Sequence, residues 1–538
     1  MTEFNRWLEK VKDKELKDEL LSICGNDKEI EDRFYKSLTF GTGGLRGELG
    51  VGTNRMNVYT VGRATFGLAD YLLQTGGYSA VIAYDSRNMS KEFARLCAEI
   101  LSFKGIRSYL FPCLTPTPVL SFAVRYLKAS AGIVITASHN PKTYNGYKVY
   151  NEKGCQITDE SAKIITKKIE GCDYFNVFTP NENLITVLDE KIERAFLDEI
   201  KKYSLTKITK ENAPKIVYSP LHGTGRVYVQ KVLKEIGVED VYTVKEQEMP
   251  DGNFTTCPYP NPEEKEALTL ALSCADRYNP DLVMATDPDA DRVGIAIKDE
   301  KSTYKLINGN ETGSILLYYL LLRKKERGLS YKGSTVVKTI VTTDIVFDMA
   351  KDFGVEVKEV LTGFKYIGEA IDELDEYLFG LEESYGYLIG THARDKDAVS
   401  ACMLIAEACA YFKDKGKTLF GVLQEIYQKY GYYQTELKSL SFPGKDGMVK
   451  MQEILASIRK NPPREIDGEL LTFDDFSKGL FGLPKSDVLR FKSQNYRIIV
   501  RPSGTEPKMK IYLQTKGKTI SHAQAQISNM LKFIDAII

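Results

Sequence analysis

Short apolar runs alternate with stretches of helical period along most of the chain. The run SAVIAY (79–84) stops at Asp85. KEFARLCAEILSF (91–103) then repeats its apolar positions every three or four residues and closes on Gly105, before a second short run, IRSYLF (106–111). The outer pieces are too short for helices and rich in β-branched and aromatic residues, so they predict strands around a helix. The same order returns at PKIVYSP (214–220), RVYVQKVLKEIG (226–237) and VEDVYTV (238–244). It returns again at STVVKTIV (334–341), DIVFDMAKDFG (344–354) and VEVKEVL (355–361). Three such units predict three similar α/β domains with mixed or mostly parallel sheets covered by helices.

The last part of the chain breaks the pattern. NYRIIVRPSGTEPKMKIYLQT (495–515) predicts two strands around a polar turn, with one helix from about Ser521, and NPPREIDGE (461–469) predicts a loop. A smaller α+β domain follows from this. The expected divisions are 1–205, with a helical extension over 1–38, then 206–304, 305–420 and 421–538. A length of 538 residues agrees with several domains, because one core stops growing at about 250–300 residues.

Composition narrows the function classes. The 73 basic and 73 acidic side chains cancel, which argues against nucleic acid or an anionic membrane as partner. Nine cysteines without a CxxC pair predict reduced thiols in a cytoplasmic protein. Phe4, Trp7, Leu8 and Val11 give the N-terminus an amphipathic helix instead of a signal peptide. The longest apolar stretch, SILLYYLLL (314–322), falls short of the roughly 20 residues a membrane span needs.

Ligands of open α/β sheets sit beyond the carboxyl ends of strands, so polar residues there carry the chemistry. Four places qualify. In GIVITASHNPKTYNGYKVY (132–150) an apolar strand runs into Thr136, Ser138, His139 and Asn140, and Lys148 stands ten residues beyond the serine. No GxSxG elbow is present, which weakens a hydrolase reading. In LVMATDPDADRVGIAI (282–297), Asp287, Asp289 and Asp291 alternate between apolar runs. In extended backbone they share one face, where three carboxylates repel unless a cation sits among them. Hard oxygen ligands suit Mg²⁺. Arg292 stands where an EF-hand needs glycine, which excludes that loop.

In YLFGLEESYGYLIGTHARDKDA (377–398), Glu382, Glu383 and Ser384 follow a strand and suit either sugar hydroxyls or a solvated turn. Lys396 suits proton transfer, phosphate contact or simply a charged helix start. In IIVRPSGTEPKMKIY (498–512), Arg501, Ser503, Gly504 and Thr505 compose a phosphate cradle. Arg46 in FGTGGLRGELG (40–50) is a further candidate anion contact, and PLHGTG (220–225) reads as a structural strand-to-helix turn.

These four loops, in this order over essentially the whole chain, resemble the α-D-phosphohexomutase family, in its longer phosphoglucomutase and phosphopentomutase type. The resemblance implies four domains around a central cleft. It makes Ser138 the phosphorylated residue and assigns Mg²⁺, one per chain, to Asp287, Asp289, Asp291 and the phosphoserine. Arg46, His139, Lys148 and Lys396 fall in the catalytic group, with Lys396 matching a lysine proposed as general base. Arg292, Thr362, Glu382, Ser384, Arg501, Ser503, Gly504 and Thr505 fall in the substrate group. A commoner metal loop reads DGDGDR; here Pro288 and Ala290 replace its glycines, and Leu381 replaces the glycine that opens the sugar loop. The implied reaction interconverts glucose 1-phosphate and glucose 6-phosphate through glucose 1,6-bisphosphate, in a monomer or dimer. Pentose or mannose phosphates and bisphosphate synthesis are the alternatives within the family. A Mg²⁺-dependent phosphatase and a non-catalytic sensor lie outside it.

Overall fold

The computed structural model describes every residue except 1, 42, 443, 503–507 and 538, and only the backbone of 444–446. Three strand–helix–strand units form where the apolar pattern places them. Ser79–Tyr84 pairs in parallel with Arg107–Leu110, Ile216–Ser219 with Val241–Thr243, and Ser334–Thr339 with Glu356–Val360. Each sheet also carries antiparallel strands, so all three are mixed. The first has the order Leu45–Glu48, Tyr144–Asn151, Ala131–Ile135, Ser79–Tyr84, Arg107–Leu110, Ile185–Val187. The strands Ala131–Ile135, Leu282–Thr286 and Ser334–Thr339 are buried at every residue. Helices on both faces explain why they read as unbroken apolar runs and not as alternations.

The last sheet is antiparallel throughout: Tyr432–Ser441, Lys508–Gly517, Tyr496–Pro502, Leu489–Lys492, Thr472–Asp475. Helix Ile520–Ile537 packs on it through Ala523, Met530 and Ile534. NPPREIDGE is more than a loop, because Glu465–Ile466 and Glu469–Leu470 pair as a small hairpin across the Asp467-Gly468 turn. Two domain divisions move as well. Strand Tyr304–Ile307 completes the second sheet, so that unit runs to about 307 and not 304. Helix Leu419–Tyr430 packs its apolar face into the core of the third unit, so the division expected at 420 falls after it.

One apolar core runs from the back of the first domain through the second and third. Phe196, Tyr228, Leu320 and Met403 lie in it, and helix Ala398–Asp414 is buried on nearly all sides there. SILLYYLLL lies in helix Gly309–Glu326 of this core; no helix among the described residues is long and apolar enough to cross a membrane. Trp7 anchors the N-terminal helices against Phe34, Tyr59 and Phe175. The fourth domain meets the third through Ile340, Val341 and Leu361 against Phe476, Val488 and Ile499. A buried ion network stands beside that seam, where Lys338, Asp344 and Glu359 face Arg490 and Arg497. The carboxyl ends of the central strands consequently open toward one cleft.

Candidate active site

Strand Ala131–Ile135 delivers the chain into a loop that closes at Pro141. Ser138 adopts a left-handed backbone (φ +52°), a conformation uncommon outside glycine and costly for most residues. Its N–H donates to Thr136 Oγ1 (2.8 Å) and its Oγ donates to Asp287 Oδ2 (2.8 Å). Although chain neighbours usually diverge, this turn also brings His139 Nδ1 to 3.4 Å from Ser138 Oγ. Arg46, on the strand Leu45–Glu48, donates to Asn140 Oδ1 (3.1 Å).

The three aspartates converge, but not by alternation along a strand. Leu282–Thr286 ends before them, and residues 287–291 make a tight turn in which Ala290 takes φ +51°. The turn gathers one oxygen of each carboxylate within 4.8 Å of the others. Each aspartate also spends one oxygen on the protein. Asp287 Oδ1 accepts from the N–H groups of Asp291 (3.1 Å) and Arg292 (3.0 Å). Asp289 Oδ2 accepts from Lys148 Nζ (2.7 Å) and Thr117 Oγ1 (3.0 Å), and Asp291 Oδ2 faces Lys396 Nζ (3.1 Å). Asp289 Oδ1 and Asp291 Oδ1 are buried without a hydrogen-bond donor among the described residues, and Asp287 Oδ2 faces Ser138. Leaving buried carboxylate oxygens unpaired is costly, so this donor set fits a hard divalent cation beside the serine.

The turn is braced from three domains. Thr117 of the first domain also donates its N–H to the Asp289 carbonyl (2.9 Å). Thr224 of the second donates to the Pro288 carbonyl (2.8 Å), and a Cβ on Gly223 would lie 2.5 Å from Pro288 Cα. PLHGTG is therefore structural, as its sequence suggests, and its glycine is required by close approach. Ala398 of the third domain donates to the Ala290 carbonyl (3.2 Å).

A cleft of about 880 Å³ opens in front of these groups, lined by His139, Arg292, Thr362, Glu382, Ser384, Lys396 and Arg501 among others. Ser138, Lys148 and the aspartates are buried behind that lining. Glu382 Oε1 accepts from the Gly363 N–H (3.1 Å), and Thr362 Oγ1 is buried without a protein partner among the described residues. Arg501 sits opposite Lys510 across two strands, both on the cleft. Ser503, Gly504 and Thr505 lie outside the described residues. Leu381 is the buried last residue of strand Glu376–Leu381 and belongs to the core, not the cleft.

Family models of the phosphoglucomutase/phosphomannomutase domains match in order: α/β/α domain I over 37–174, domain II over 194–301, domain III over 308–430 and the C-terminal domain over 445–526. A phosphoglucomutase of Staphylococcus haemolyticus (strain JCSC1435) is 37% identical over 526 residues, spanning 93% of this chain and 94% of that protein. The chain belongs to the phosphoglucomutase/phosphomannomutase family. A phosphoglucomutase of Staphylococcus aureus (strain MSSA476) is 35% identical over 98% of both chains. Among solved structures, a putative phosphomannomutase from Thermus thermophilus (TM-score 0.71, 23% identity, 92% of this chain and 99% of that one) shares the fold. So does the open form of the Paramecium phosphoglucomutase parafusin (TM-score 0.71, 18% identity, 93% and 96%).

Within this family fold, the electrostatics separate the proton carriers. Burial, together with the Arg292 and Arg46 cations, holds His139 well below the usual histidine range, so it is neutral. Lys396 is the reverse case. Burial opposes its charge, but Asp291, Asp395 and Glu382 overcome it and keep the ammonium firmly protonated. That state makes Lys396 a source of positive charge and a hydrogen-bond donor at Asp291. Lys148 is held charged in the same way by Asp289 and Asp291. Burial, then Asp289 and Asp291, push Asp287 well above the carboxylate range. Burial lifts Glu382 to about 7 against the pull of Lys396.

Some participants escaped the sequence reading. Thr117 starts a helix after a strand end, in TPTP, and only the fold shows that it reaches the aspartate turn. Glu263 pairs with Arg292 (2.5 Å), and Asp395 accepts from Tyr150 Oη (2.7 Å) and Gln156 (2.8 Å) while facing Lys396. Arg87, two residues past the strand-end Asp85, packs under the serine loop. A charge just past a strand end is the sequence signal for Arg87, and the charged run 394–397 is the one for Asp395. Glu263 had none.

Proposed function

We propose that this chain is a phosphoglucomutase that interconverts glucose 1-phosphate and glucose 6-phosphate, with Ser138 carrying a phosphoryl group between turnovers. The observation that supports it most is Ser138 Oγ donating to Asp287 beside two buried carboxylate oxygens that lack donors among the described residues, at the head of a cleft that Arg501 also lines. Mg²⁺ would be held by Asp287, Asp289, Asp291 and the serine phosphate, one per chain, and when bound supplies Lewis-acid charge at the reacting phosphate.

The side chains then divide the work. Glu382 and Ser384, with Thr362, hold sugar hydroxyls at the strand ends of the third domain. Arg501 and the segment 503–505 hold the phosphate that is not reacting. A sugar hydroxyl attacks the phosphoserine, the Ser138 Oγ–P bond breaks, and glucose 1,6-bisphosphate forms. Neutral His139, 3.4 Å from Ser138 Oγ, takes the hydroxyl proton and hands it to the departing serine oxygen, and Lys148 and Lys396 keep positive charge against the oxygens that gain it. The bisphosphate turns over in the cleft and returns its other phosphoryl group to Ser138. A second phosphate contact far from the serine serves this reorientation, whereas a phosphatase has no use for one. The nine cysteines are all unpaired, in keeping with a cytoplasmic enzyme that acts on small molecules.

The test is ³¹P NMR of the purified protein with Mg²⁺, a trace of glucose 1,6-bisphosphate and glucose 1-phosphate. Accumulation of glucose 6-phosphate without free phosphate is expected. Free phosphate without isomer rejects the mutase in favour of a phosphatase, and turnover of ribose 1-phosphate alone moves the enzyme to pentoses.

Glu382 gives this reading a pH signature. An ionised carboxylate accepts hydrogen bonds from sugar hydroxyls, and protonation replaces an acceptor with a donor. With a pKa of about 7, its ionised fraction falls about tenfold between pH 8 and pH 6. KM for the glucose phosphates is expected to rise by up to that factor over the same interval. In Glu382→Gln it should be high and flat, as steady-state kinetics across the range will show.

A further inference from the structure

Arg87 lies wholly inside the protein next to an equally buried Asp85, with Nε 3.3 Å from the Asp85 carboxylate. Its guanidinium donates to four backbone carbonyls of a single loop, those of Ser138, Asn140, Pro141 (2.9 Å) and Tyr144 (3.2 Å). One face of the planar cation is covered by the Phe254 ring, 4.9 Å away, which reaches across from the second domain on a backbone of φ +46°. Asp85 is fixed in turn by the Ser90 hydroxyl (2.8 Å) and the Arg87 N–H (2.9 Å). An arginine is the one side chain whose fork can serve several carbonyls of a tight turn at once.

Four carbonyls, two on each terminal nitrogen of one guanidinium, define the shape of the loop. Their alignment is also what holds Ser138 in its left-handed conformation, since a non-glycine residue stays there only when its surroundings impose it. In that conformation the serine hydroxyl reaches Asp287 Oδ2 (2.8 Å). We infer that Arg87 is a positioning residue for phosphoryl transfer: its guanidinium fixes the Ser138 loop from below, Asp85 orients it, and Phe254 ties it to the domain that carries the aspartates. This inference rests on the mutase reading of Ser138 and adds to it a residue that touches neither substrate nor metal.

Lysine at this position keeps the charge but offers three donors from one point and cannot span the four carbonyls. Misplacing a nucleophile by about an ångström costs on the order of 100-fold in rate. The step to measure is the charging of Ser138. Its hydroxyl oxygen bonds to a phosphorus of glucose 1,6-bisphosphate, the sugar O–P bond breaks, and the proton passes to the sugar oxygen. Wild type, R87K and R87A are dephosphorylated, mixed with the bisphosphate and Mg²⁺, and followed by intact mass, with the Kd for glucose 6-phosphate measured by calorimetry and folding by thermal melting.

Both variants are expected to charge about 100-fold more slowly while binding glucose 6-phosphate within about threefold of wild type. Millimolar guanidinium should restore part of the R87A rate and none of an S138A control, a response that a general loss of packing would not give. Charging of R87K within threefold of wild type overturns the inference. So does a rate loss matched by an equal loss of sugar-phosphate affinity, with guanidinium without effect. If wild type itself never gains a phosphoryl group, the mutase reading falls, and the role of Arg87 in transfer falls with it.

Discussion

Ser138→Ala is expected to lower kcat for isomerisation of glucose 1-phosphate by about 10⁴-fold or more, the scale of removing a covalent nucleophile. The reason lies in what surrounds the hydroxyl. Thr136 Oγ1, the hydroxyl nearest in the chain, is engaged as acceptor for the Ser138 N–H and is itself fully buried, so it cannot stand in as carrier. Binding should survive, because the cleft lining (His139, Glu382, Ser384, Arg501) is untouched by the change. Alanine tolerates the left-handed backbone no worse than serine, so the variant should fold. Loss of kcat with a Kd for glucose 6-phosphate within about threefold of wild type, and no phosphoryl group on the protein by intact mass, completes the expectation. Residual turnover within tenfold of wild type would show that the phosphoryl group resides elsewhere.

The chain displays its strands and helices openly because the apolar periods are strong: the three strand–helix–strand units and the final strand pair appear where the pattern puts them. Ser138 and the aspartates are legible because polar residues at the end of a buried strand have no packing reason to be there. How they meet is not legible. Alternate spacing suggests an extended strand, yet a turn with Ala290 at positive φ gathers the carboxylates, and local spacing cannot separate the two. Thr117 and Lys148 hold Asp289 from 172 and 141 residues away in the chain. Such pairings depend on domain docking, which a periodic signal does not encode. Lys396 shows a further limit, since its protonation follows from its chain neighbour Asp395 together with Asp291 and Glu382, which the fold brings from two other loops. The division expected near 420 failed for a simpler reason: the polar KDKGK before Leu419 looks like a linker but only turns the chain between two helices of one core.

Asp287→Asn is expected to change activity and stability in opposite directions. In the wild type, burial and two neighbouring carboxylates lift the Asp287 pKa well above its ordinary value. An acid raised on folding costs stability once the pH passes its unfolded pKa of about 4, and the cost grows until the folded pKa is reached. Asparagine has the same shape, keeps an oxygen for the Asp291 and Arg292 N–H groups, and carries no charge to repel Asp289 and Asp291. At pH 8 and with EDTA present, the variant should therefore melt at or above the wild-type temperature. Mg²⁺ reverses the order, because an ion that binds only the folded state adds about 2.7 kcal/mol at a hundredfold excess over its Kd. That gain belongs to the wild type, which keeps three carboxylates for the ion, and Mg²⁺ should scarcely shift the melting of the variant. Turnover should fall about 10³-fold, since charge stabilisation by a bound ion is worth several kcal/mol. Melting curves of both proteins with EDTA and with millimolar Mg²⁺, beside kcat, decide it. A variant that melts well below wild type in EDTA would mean that the three carboxylates do not strain one another, and an equal Mg²⁺ shift in both proteins would place the ion elsewhere.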